Sequence, residues 1–194
     1  MENLKGVILA GGKGTRLLPA TRVINKHMVP ILNQPMIVYP LETLKSFGIT
    51  NIMIISGGDH IGGIAEFLGD GSEFGVQLTY RAQKEAGGIA QALGLAKDFV
   101  GNDSVMVVLG DNVFSNNALK TRISFQDPNN ACIFLAEVTD ATRFGVAVFD
   151  DGKLVGIEEK PKEPKSNYAV TGLYYYPNEV FKIIPTLTPS ARGE

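Results

Sequence analysis

A glycine-rich loop directly follows the first apolar run of the chain. The segment Leu9–Arg16 reads LAGGKGTR. Glycines let the backbone approach a ligand closely and turn its N–H groups toward an anion, and an arginine can bind phosphate oxygens through two parallel hydrogen bonds. The spacing is not that of a P-loop, and the third glycine that the dinucleotide fingerprint requires is missing after Gly14. The loop therefore predicts phosphate binding of another kind, with a plain strand-to-helix turn as the alternative.

Two charged side chains are candidates for the reacting end of such a phosphate site. Lys26 lies between the glycine loop and the first helical pattern, and Asp111 follows the apolar run 104–109. Ligands of open α/β sheets bind at the carboxyl ends of the strands, where a carboxylate is a natural ligand for Mg²⁺. Alternatively, Asp111 forms a turn or caps a helix, and Lys26 is an exposed loop residue. His27 and His60 lack the spacing of metal ligands, so we expect neither a metal nor a base role for His27.

Polar residues also stand beside two later strand patterns. Gln83 precedes the sequence GGIAQA, which starts at Gly87, and a side-chain amide beside a glycine pair can offer a donor and an acceptor to the edge of a base. Glu158 begins the sequence EEKP, in which paired carboxylates beside a lysine could hold sugar hydroxyls and a sugar phosphate. Taken singly, the first segment is also compatible with an ordinary loop before a helix, and the second with an exposed charged loop.

The hydrophobic pattern predicts the strands and helices that must position these residues. In the first part of the chain, unbroken apolar runs alternate with helical patterns. The predicted strands there are 6–10, 51–56, 76–81 and 104–109, and the predicted helices are 35–47, 60–68 and 88–99. After residue 130 the pattern predicts strands at 131–138, 145–149, 154–158 and 168–176. The dipeptide Asp151-Gly152 predicts a tight hairpin between two of them.

These elements predict the fold class. Unbroken apolar strands are typical of a parallel sheet that helices cover on both faces. We therefore expect an α/β fold with a Rossmann-like, mostly parallel sheet, which gains antiparallel strands in the second half of the chain. The sequence has 194 residues and shows no linker or internal repeat. That length fits a single domain, residues 1–194.

Composition narrows the classes of partner. The chain carries 18 lysines and arginines against 20 aspartates and glutamates, a net charge of -2, so it lacks the positive field that binds nucleic acid. Its one cysteine, Cys132, cannot form an internal disulfide, which fits a reducing compartment. No signal-peptide pattern and no apolar run near 18 residues is present. We expect a cytoplasmic protein that does not enter the membrane.

Taken together and in order, the motifs resemble those of the sugar nucleotidyltransferases. The matching segments are LAGGKGTRLLPAT from Leu9, Lys26, QPM from Gln34, LGDN from Leu109, EEKP from Glu158 and SNYAVTG from Ser166. The resemblance runs from residue 4 to residue 194, and its most diagnostic parts are the glycine loop and the segment KPKEPKSNY. It implies a nucleotide-binding half, residues 1–130, and a sugar-binding half, residues 131–194.

The resemblance also implies a role for each matching position. The residues implied at the nucleotide are Gly11, Gly12, Gly14 and Thr15 at the phosphates, and Gln83 and Gly88 at the pyrimidine edge. The implied catalytic charges are Arg16 on the leaving pyrophosphate, with Lys26 and Lys160. The residues implied at the sugar phosphate are Gly145, Glu159, Lys160 and Val170. Asp111 is implied as the ligand of the cofactor Mg²⁺.

The implied reaction is the transfer of a nucleotidyl group to a sugar 1-phosphate with release of pyrophosphate. Phosphoryl chemistry of this kind needs alignment and charge neutralisation rather than a covalent enzyme intermediate. The nearest pattern within the family uses dTTP and glucose 1-phosphate and yields dTDP-glucose. The alternatives are the use of UTP on the same scaffold and a non-catalytic protein that binds nucleotide sugars. Assembly into a homo-oligomer is left open.

The sequence departs from the family pattern at three places. The family often has lysine where this chain has Gln34, and glutamine where it has His27. In the family, the sequence Arg-Gly-Glu, here Arg192–Glu194, precedes a segment whose aspartate shares the Mg²⁺ with the residue matched by Asp111. Because the sequence stops before that segment, we expect a shortened sugar-binding half and slow turnover by these residues alone.

Overall fold

The apolar runs of the sequence form the strands of one sheet. A computed structural model describes residues 4–12, 14–85, 87–115 and 129–188. The strands within these ranges are β1 (Leu4–Ala10), β2 (Pro30–Ile31), β3 (Gln34–Pro35), β4 (Asn51–Gly57), β5 (Gln77–Gln83), β6 (Ser104–Leu109), β7 (Cys132–Glu137), β8 (Gly145–Asp150), β9 (Lys153–Glu159) and β10 (Tyr168–Tyr176). All but the short β2–β3 pair belong to the main sheet.

The first half of the sheet is parallel, as the unbroken apolar runs predict. Its order is β5-β4-β1-β6, and each neighbouring pair is parallel. In β1, Val7 and Ile8 are fully buried on opposite faces, because alternate side chains of a strand point to opposite sides. Strands of this kind are stable only when both faces are covered.

The second half of the sheet is antiparallel. Strand β10 pairs antiparallel with β6, and it also pairs antiparallel with β7 and β8. Strands β8 and β9 form the predicted hairpin, in which Asp150 pairs with Lys153. The two turn residues, Asp151 and Gly152, both have positive φ, 45° and 72°, as a two-residue hairpin turn of type I′ requires. The predicted α/β class with added antiparallel strands is confirmed.

Helices cover both faces of the parallel strands. The α-helices of the described ranges are α1 (Val38–Ser46), α2 (Ile61–Leu68), α3 (Gly88–Gly94), α4 (Lys97–Val100) and α5 (Val180–Ile183). Short 3-10 helices lie at Thr15–Leu17, Ala20–Arg22, Lys26–Met28, Ser72–Phe74, Ala141–Arg143 and Ile184–Thr186. Leu41 and Leu44 of α1 pack on one face of the sheet, while Leu93 of α3 packs on the other. Cys132 is half-buried and packs on the same face as Leu41 and Leu44.

One predicted helix is wrong in its extent. The pattern predicts a single helix over 88–99, but the chain forms α3 and α4 with a break at Leu95 and Ala96. Gly94 ends α3, and a Cβ there would lie 3.3 Å from Ile184 Cγ2. The break therefore lies where the turn packs closely against the last 3-10 helix, a contact between distant segments that helical periodicity does not report.

Three sequence-based expectations concern the limits of the chain and its surroundings. The single domain with halves 1–130 and 131–194 stays a prediction. Arg192–Glu194, on which the comparison with the family's C-terminal segment rests, lies outside the described residues. Across the described residues, none of the helices combines the length and the apolar character needed to cross a membrane.

Candidate active site

The residues singled out in the first half of the sequence meet at one edge of the sheet. Strand β1 runs parallel to β6, and Leu9 pairs with Leu109. The glycine loop after β1 and Asp111 after β6 therefore leave the sheet side by side. Gln83, the last residue of β5, stands at the same edge. This is the carboxyl edge, where open α/β sheets bind ligands.

The glycine loop packs tightly against the segment that follows it. Gly14 has a φ of 61°, and a Cβ at this position would lie 2.9 Å from the Cβ of Lys26 and 2.9 Å from Thr21 Cγ2. The Thr21 hydroxyl donates a hydrogen bond of 2.8 Å to the Gly14 carbonyl. Glycine is required here because a larger residue would displace Lys26. Thr15 and Arg16 follow on an exposed 3-10 turn.

Lys26 and Asp111 form a close ion pair at the mouth of this loop. The distance from Lys26 Nζ to Asp111 Oδ2 is 2.6 Å, and the two side chains are 19% and 41% exposed. A Cβ on Gly12 would lie 3.6 Å from Lys26 Nζ, so the ammonium group reaches the loop as well as the carboxylate. Burial raises the pKa of the Asp111 carboxyl, but the hydrogen bond and charge of Lys26 outweigh burial and hold that pKa below its usual value.

His27 anchors the segment that carries Lys26. Its ring is almost fully buried, and Nδ1 lies 2.7 Å from Asn25 Oδ1, which also accepts a hydrogen bond from the His27 backbone N–H. Because that amide oxygen can only accept, Nδ1 carries the proton. Among the described residues, Nε2 has no hydrogen-bond partner, and it lies 2.9 Å from the position of a Cβ on Gly110. The neutral ring therefore packs against the residue before Asp111.

Burial is the main cause of the low pKa of His27, which is about 3. The charge of Lys26 lowers this pKa further, Asp111 opposes that effect, and His60 adds a small lowering. His27 is therefore neutral at pH 7. The expectation that His27 is neither a base nor a metal ligand stays a prediction.

Acidification from pH 7 to pH 5 should lower the free energy of unfolding by about 2 kcal/mol through His27. The imidazole of the unfolded chain titrates near pH 6.5, whereas its folded-state pKa is about 3. Stabilisation by the neutral ring is complete above pH 6.5. It is lost as the pH falls toward 3, because the unfolded state takes up the proton first. Urea unfolding at both pH values measures the difference.

Two variants separate the contribution of His27 to this pH dependence from the contributions of other titrating groups. Glutamine does not titrate. Between pH 7 and pH 5, His27→Gln should therefore lose about 2 kcal/mol less unfolding free energy than the wild type loses. His60→Gln, which removes the other histidine of the sequence, is the matched control and should keep the wild-type pH dependence. An equal loss in wild type and His27→Gln would contradict the prediction.

The residues at this edge fit Mg²⁺ bound jointly by protein and phosphate. Asp111 Oδ2 faces Lys26, and Oδ1 accepts a hydrogen bond from Asn112 Nδ2 at 3.2 Å. In the part of the chain that the structure describes, no cluster of three or more histidine, cysteine or acidic residues could hold a metal by itself. Mg²⁺ commonly takes one or two carboxylates and completes its shell with water and substrate phosphates. A half-exposed carboxylate beside the glycine loop suits that mode of binding.

The polar residues predicted to bind the base of a nucleotide also come together. A Cβ on Gly11 would lie 3.4 Å from Gln83 Oε1, so the amide reaches from β5 to the start of the glycine loop. Gln83 is 9% exposed, and its Nε2 donates a hydrogen bond of 2.5 Å to Gln91 Oε1. Gly88 begins α3, the helix that carries Gln91. A nucleotide base bound here would lie between the first turn of α3 and the glycine loop.

The residues predicted for a sugar phosphate form a second cluster, on the antiparallel strands. Gly145 pairs with Glu159, and a Cβ on Gly145 would lie 3.2 Å from Glu159 Oε2 and 3.8 Å from the Cβ of Val170. Lys160 has a φ of 47° and donates its backbone N–H to the carbonyl of Phe144. Its ammonium group lies 3.0 Å from Glu159 Oε1.

A contact between β10 and the Asp111 loop connects the two clusters. Asn112 Oδ1 accepts a hydrogen bond of 3.0 Å from the backbone N–H of Gly172. Leu173 pairs with Val108 in this antiparallel register, so Val170, three residues earlier in β10, extends past the end of β6 at Leu109. This part of β10 therefore lies at the same edge of the sheet as Asp111.

The structure thus brings the predicted residues together in two groups. The residues grouped at the carboxyl edge of the parallel strands are Gly11, Gly12, Gly14, Lys26, Gln83, Gly88 and Asp111, with Thr15 and Arg16 on the adjoining turn. The residues grouped on the antiparallel strands are Gly145, Glu159, Lys160 and Val170. Their roles toward ligands stay predictions.

Four supporting residues were missed by the sequence analysis. They are Thr21, Asn25, Gln91 and Asn112, each of which holds a predicted site residue or its neighbour by a hydrogen bond. Asn25 had a usable signal, because asparagine before a short helix is a typical N-cap. Thr21, Gln91 and Asn112 stand within segments that the sequence analysis quotes, but their hydrogen-bond partners are set by the tertiary fold and do not follow from the sequence.

The sequence matches a family model and curated relatives over almost its whole length. The family model described as "Nucleotidyl transferase" matches residues 5–194. A glucose-1-phosphate thymidylyltransferase from Mycolicibacterium smegmatis is 46% identical over 193 residues, which cover 98% of this chain and 67% of that protein.

Solved structures show the same fold. A Bacillus anthracis protein assigned as a glucose-1-phosphate thymidylyltransferase, crystallised with a sucrose, is 53% identical with a TM-score of 0.89, covering 98% of this chain and 78% of that one. A UDP-glucose pyrophosphorylase with bound UDP-glucose is 25% identical with a TM-score of 0.82, covering 98% and 82%. The match to the family model and the identity to the thymidylyltransferase lead to one conclusion: the chain belongs to the nucleotidyl transferase family.

Proposed function

We propose that the chain transfers a thymidylyl group from dTTP to glucose 1-phosphate, giving dTDP-glucose and pyrophosphate. The observation that carries the proposal is the Lys26–Asp111 pair at the mouth of the glycine loop, joined through Asn112 and Gly172 to the cluster on β8–β10. Such a site offers a place for a triphosphate and, next to it, a place for a second anionic substrate. The thymidylyltransferase from M. smegmatis supports the choice of nucleotide and sugar.

The reaction needs alignment of two anions and neutralisation of their charge. A phosphate oxygen of the sugar 1-phosphate attacks the α-phosphorus and forms the new P–O bond. The bond from the α-phosphorus to the bridging oxygen breaks, and pyrophosphate leaves with the electron pair. In this arrangement Lys26 and Arg16 stabilise the charge on the transferring and leaving groups, and Lys160 holds the sugar phosphate. Mg²⁺ bound at Asp111 would supply further charge neutralisation and orientation of the phosphates.

A second candidate function uses UTP in place of dTTP. The observation in its favour is the fold shared with a UDP-glucose pyrophosphorylase at a TM-score of 0.82. Uracil and thymine present the same hydrogen-bonding edge and differ by one methyl group. A binding protein without catalysis is the third candidate, and the close Lys26–Asp111 pair argues against it, because binding a nucleotide sugar does not need charges placed for a leaving pyrophosphate.

A panel of nucleoside triphosphates and sugar 1-phosphates tests the proposal, with pyrophosphate release as the readout. We expect release with dTTP and glucose 1-phosphate, and at least about tenfold lower kcat/KM with ATP or GTP, because a lost hydrogen bond in the base pocket costs about 1–3 kcal/mol. Omission of the sugar phosphate is the control and should abolish release. Preference for UTP over dTTP would select the second candidate, and nucleotide binding without pyrophosphate release would select the third.

A further inference from the structure

Three buried polar side chains, Ser56, Asn25 and His27, form a hydrogen-bonded network behind Lys26. The Ser56 hydroxyl, near the end of β4, donates a hydrogen bond of 2.8 Å to the carbonyl of Ala10, the last residue of β1. Asn25 Nδ2 donates to Ser56 Oγ at 3.4 Å, and Asn25 Oδ1 accepts from the backbone N–H and from Nδ1 of His27. The network therefore ties the segment that carries Lys26 to the carboxyl ends of β1 and β4.

Backbone groups at both ends fix the direction of these hydrogen bonds. A carbonyl oxygen can only accept and a backbone N–H can only donate, so Ala10 orients the Ser56 hydroxyl and the His27 N–H orients Asn25 Oδ1. The amide nitrogen of Asn25 must then face Ser56. Asn25, Ser56 and His27 are 7%, 0% and 1% exposed, so bulk water does not compete for these groups. The amide of Asn25 therefore has one orientation.

Lys26 stands between two residues of this network. It begins a 3-10 helix of three residues whose N-cap is Asn25, and helices this short have poor hydrogen-bond geometry of their own. Because Asn25 and His27 are both anchored in the interior, the backbone of Lys26 is held between them. Its Cβ lies 2.9 Å from the Cβ position of Gly14, and its Nζ reaches Asp111 Oδ2 at 2.6 Å.

His27 extends the network to β6. A Cβ on Gly110, the residue between β6 and Asp111, would lie 2.7 Å from Cδ2 and 2.9 Å from Nε2 of the ring. Among the described residues, Nε2 has no hydrogen-bond partner, and burial of such an atom costs free energy. Apolar groups of the same shape can replace a buried hydrogen-bonded pair at little cost. Stability alone therefore does not account for the network, whereas the placement of Lys26 beside Asp111 does.

We propose that Asn25 and Ser56 are positioning residues for the transfer reaction, which act by holding the Lys26 ammonium group at the reacting phosphates. The inference rests on the proposed function, in which Lys26 stabilises charge on the transferring and leaving groups. Both residues are buried behind Lys26, and their effect on the reaction passes through its position. A displacement of about 1 Å in a reacting geometry can cost about 100-fold in rate.

Two variants, each measured with and without the lysine, separate positioning from general packing. Asn25→Leu removes every hydrogen bond of the amide at similar size. Ser56→Ala removes one hydroxyl and leaves the contact between Asn25 and His27 in place. Each is made in the wild type and in Lys26→Met, and the quantity measured is kcat/KM for pyrophosphate release with dTTP and glucose 1-phosphate.

Asn178→Leu is the matched control. Asn178 Nδ2 also donates to carbonyls of a distant segment, those of Gly101 and Asp103. That segment precedes β6 and lies at the opposite edge of the sheet from Lys26. The control should keep kcat/KM within about twofold of wild type, although it loses two hydrogen bonds.

In the wild-type background we expect Asn25→Leu to lower kcat/KM by about 10- to 100-fold, and Ser56→Ala to lower it by about three- to tenfold. In the Lys26→Met background each substitution should cost less than about twofold, because the group that the network positions is gone. Urea unfolding shows whether each variant is folded. Ser56→Ala, the milder change, decides the test if Asn25→Leu does not fold.

Two results would overturn the inference. One is a loss of the same size in both backgrounds, which would show that the network acts on the fold and not through Lys26. The other is a wild-type kcat/KM in Ser56→Ala, which would show that Asn25 needs no anchor on β4. Wild-type protein that releases pyrophosphate with neither dTTP nor UTP would instead overturn the proposed function, so the two failures are distinguishable.

Discussion

The variant Asp111→Asn should lower kcat by about 100- to 10,000-fold, while the Kd for dTTP changes by less than about tenfold. Asparagine preserves the size of the side chain, and its amide oxygen can still accept from Lys26, which lies 2.6 Å from Oδ2 in the wild type. What is lost is the negative charge that would hold Mg²⁺ against the phosphates. That interaction is needed most when charge develops on the leaving pyrophosphate. The substitution should therefore lower kcat far more than it weakens nucleotide binding.

The measurement is a titration of Mg²⁺ at saturating substrates, combined with calorimetry for nucleotide binding. Asp98→Asn removes an exposed carboxylate in the first turn of α4 and serves as the matched control, with kcat expected within about twofold of wild type. Near-normal turnover of Asp111→Asn at limiting Mg²⁺ would show that this carboxylate does not hold the metal.

The variant Lys26→Met should lower kcat/KM by about 100- to 1,000-fold, the range seen when one donor that stabilises transition-state charge is removed. Methionine keeps the unbranched stem that passes Gly14, whose Cβ position lies 2.9 Å from the Cβ of Lys26. The change therefore removes the ammonium group with little loss of packing. It also leaves the Asp111 carboxylate without its partner, so the pKa of Asp111 should rise.

A double-mutant cycle with Asp111→Asn checks whether the two side chains act together. Because they are in direct contact, the double variant should lose less activity than the product of the two single losses. Lys97→Met, at an exposed position at the start of α4, is the control and should keep wild-type kcat/KM. Independent, multiplicative losses would show that the ion pair does not operate as a unit in the reaction.

The sequence predicts the strands well because their signal is local. The apolar run 104–109 and the turn at Asp151-Gly152 depend on neighbouring residues alone, and both appear as predicted. The positions of the glycine loop and Asp111 also follow, since both come directly after strands of a parallel sheet. Their roles came from the resemblance of the motifs to a family.

What the sequence leaves open is contact between distant residues. Lys26 and Asp111 are 85 positions apart, and no pattern of spacing indicates that their side chains lie 2.6 Å from each other. The same applies to the hydrogen bond that joins Gln83 to Gln91, which depends on where α3 packs against the end of β5. The buried position of His27, one of two histidines in the chain, depends on the whole fold and does not follow from the neighbouring residues.

The position of β10 in the sheet has a consequence for synthesis on the ribosome. Strand β6 ends at Leu109, but its outer neighbour β10 begins only at Tyr168, and β10 also separates β6 from the β8–β9 hairpin. At a synthesis rate of about 5–20 residues per second, the edge of β6 stays unpaired for several seconds until β10 has been made. During that interval the nascent chain exposes an apolar, unpaired edge, the kind of surface that invites pairing with another chain. Slower translation between β6 and β10 should therefore increase the demand for chaperones during synthesis.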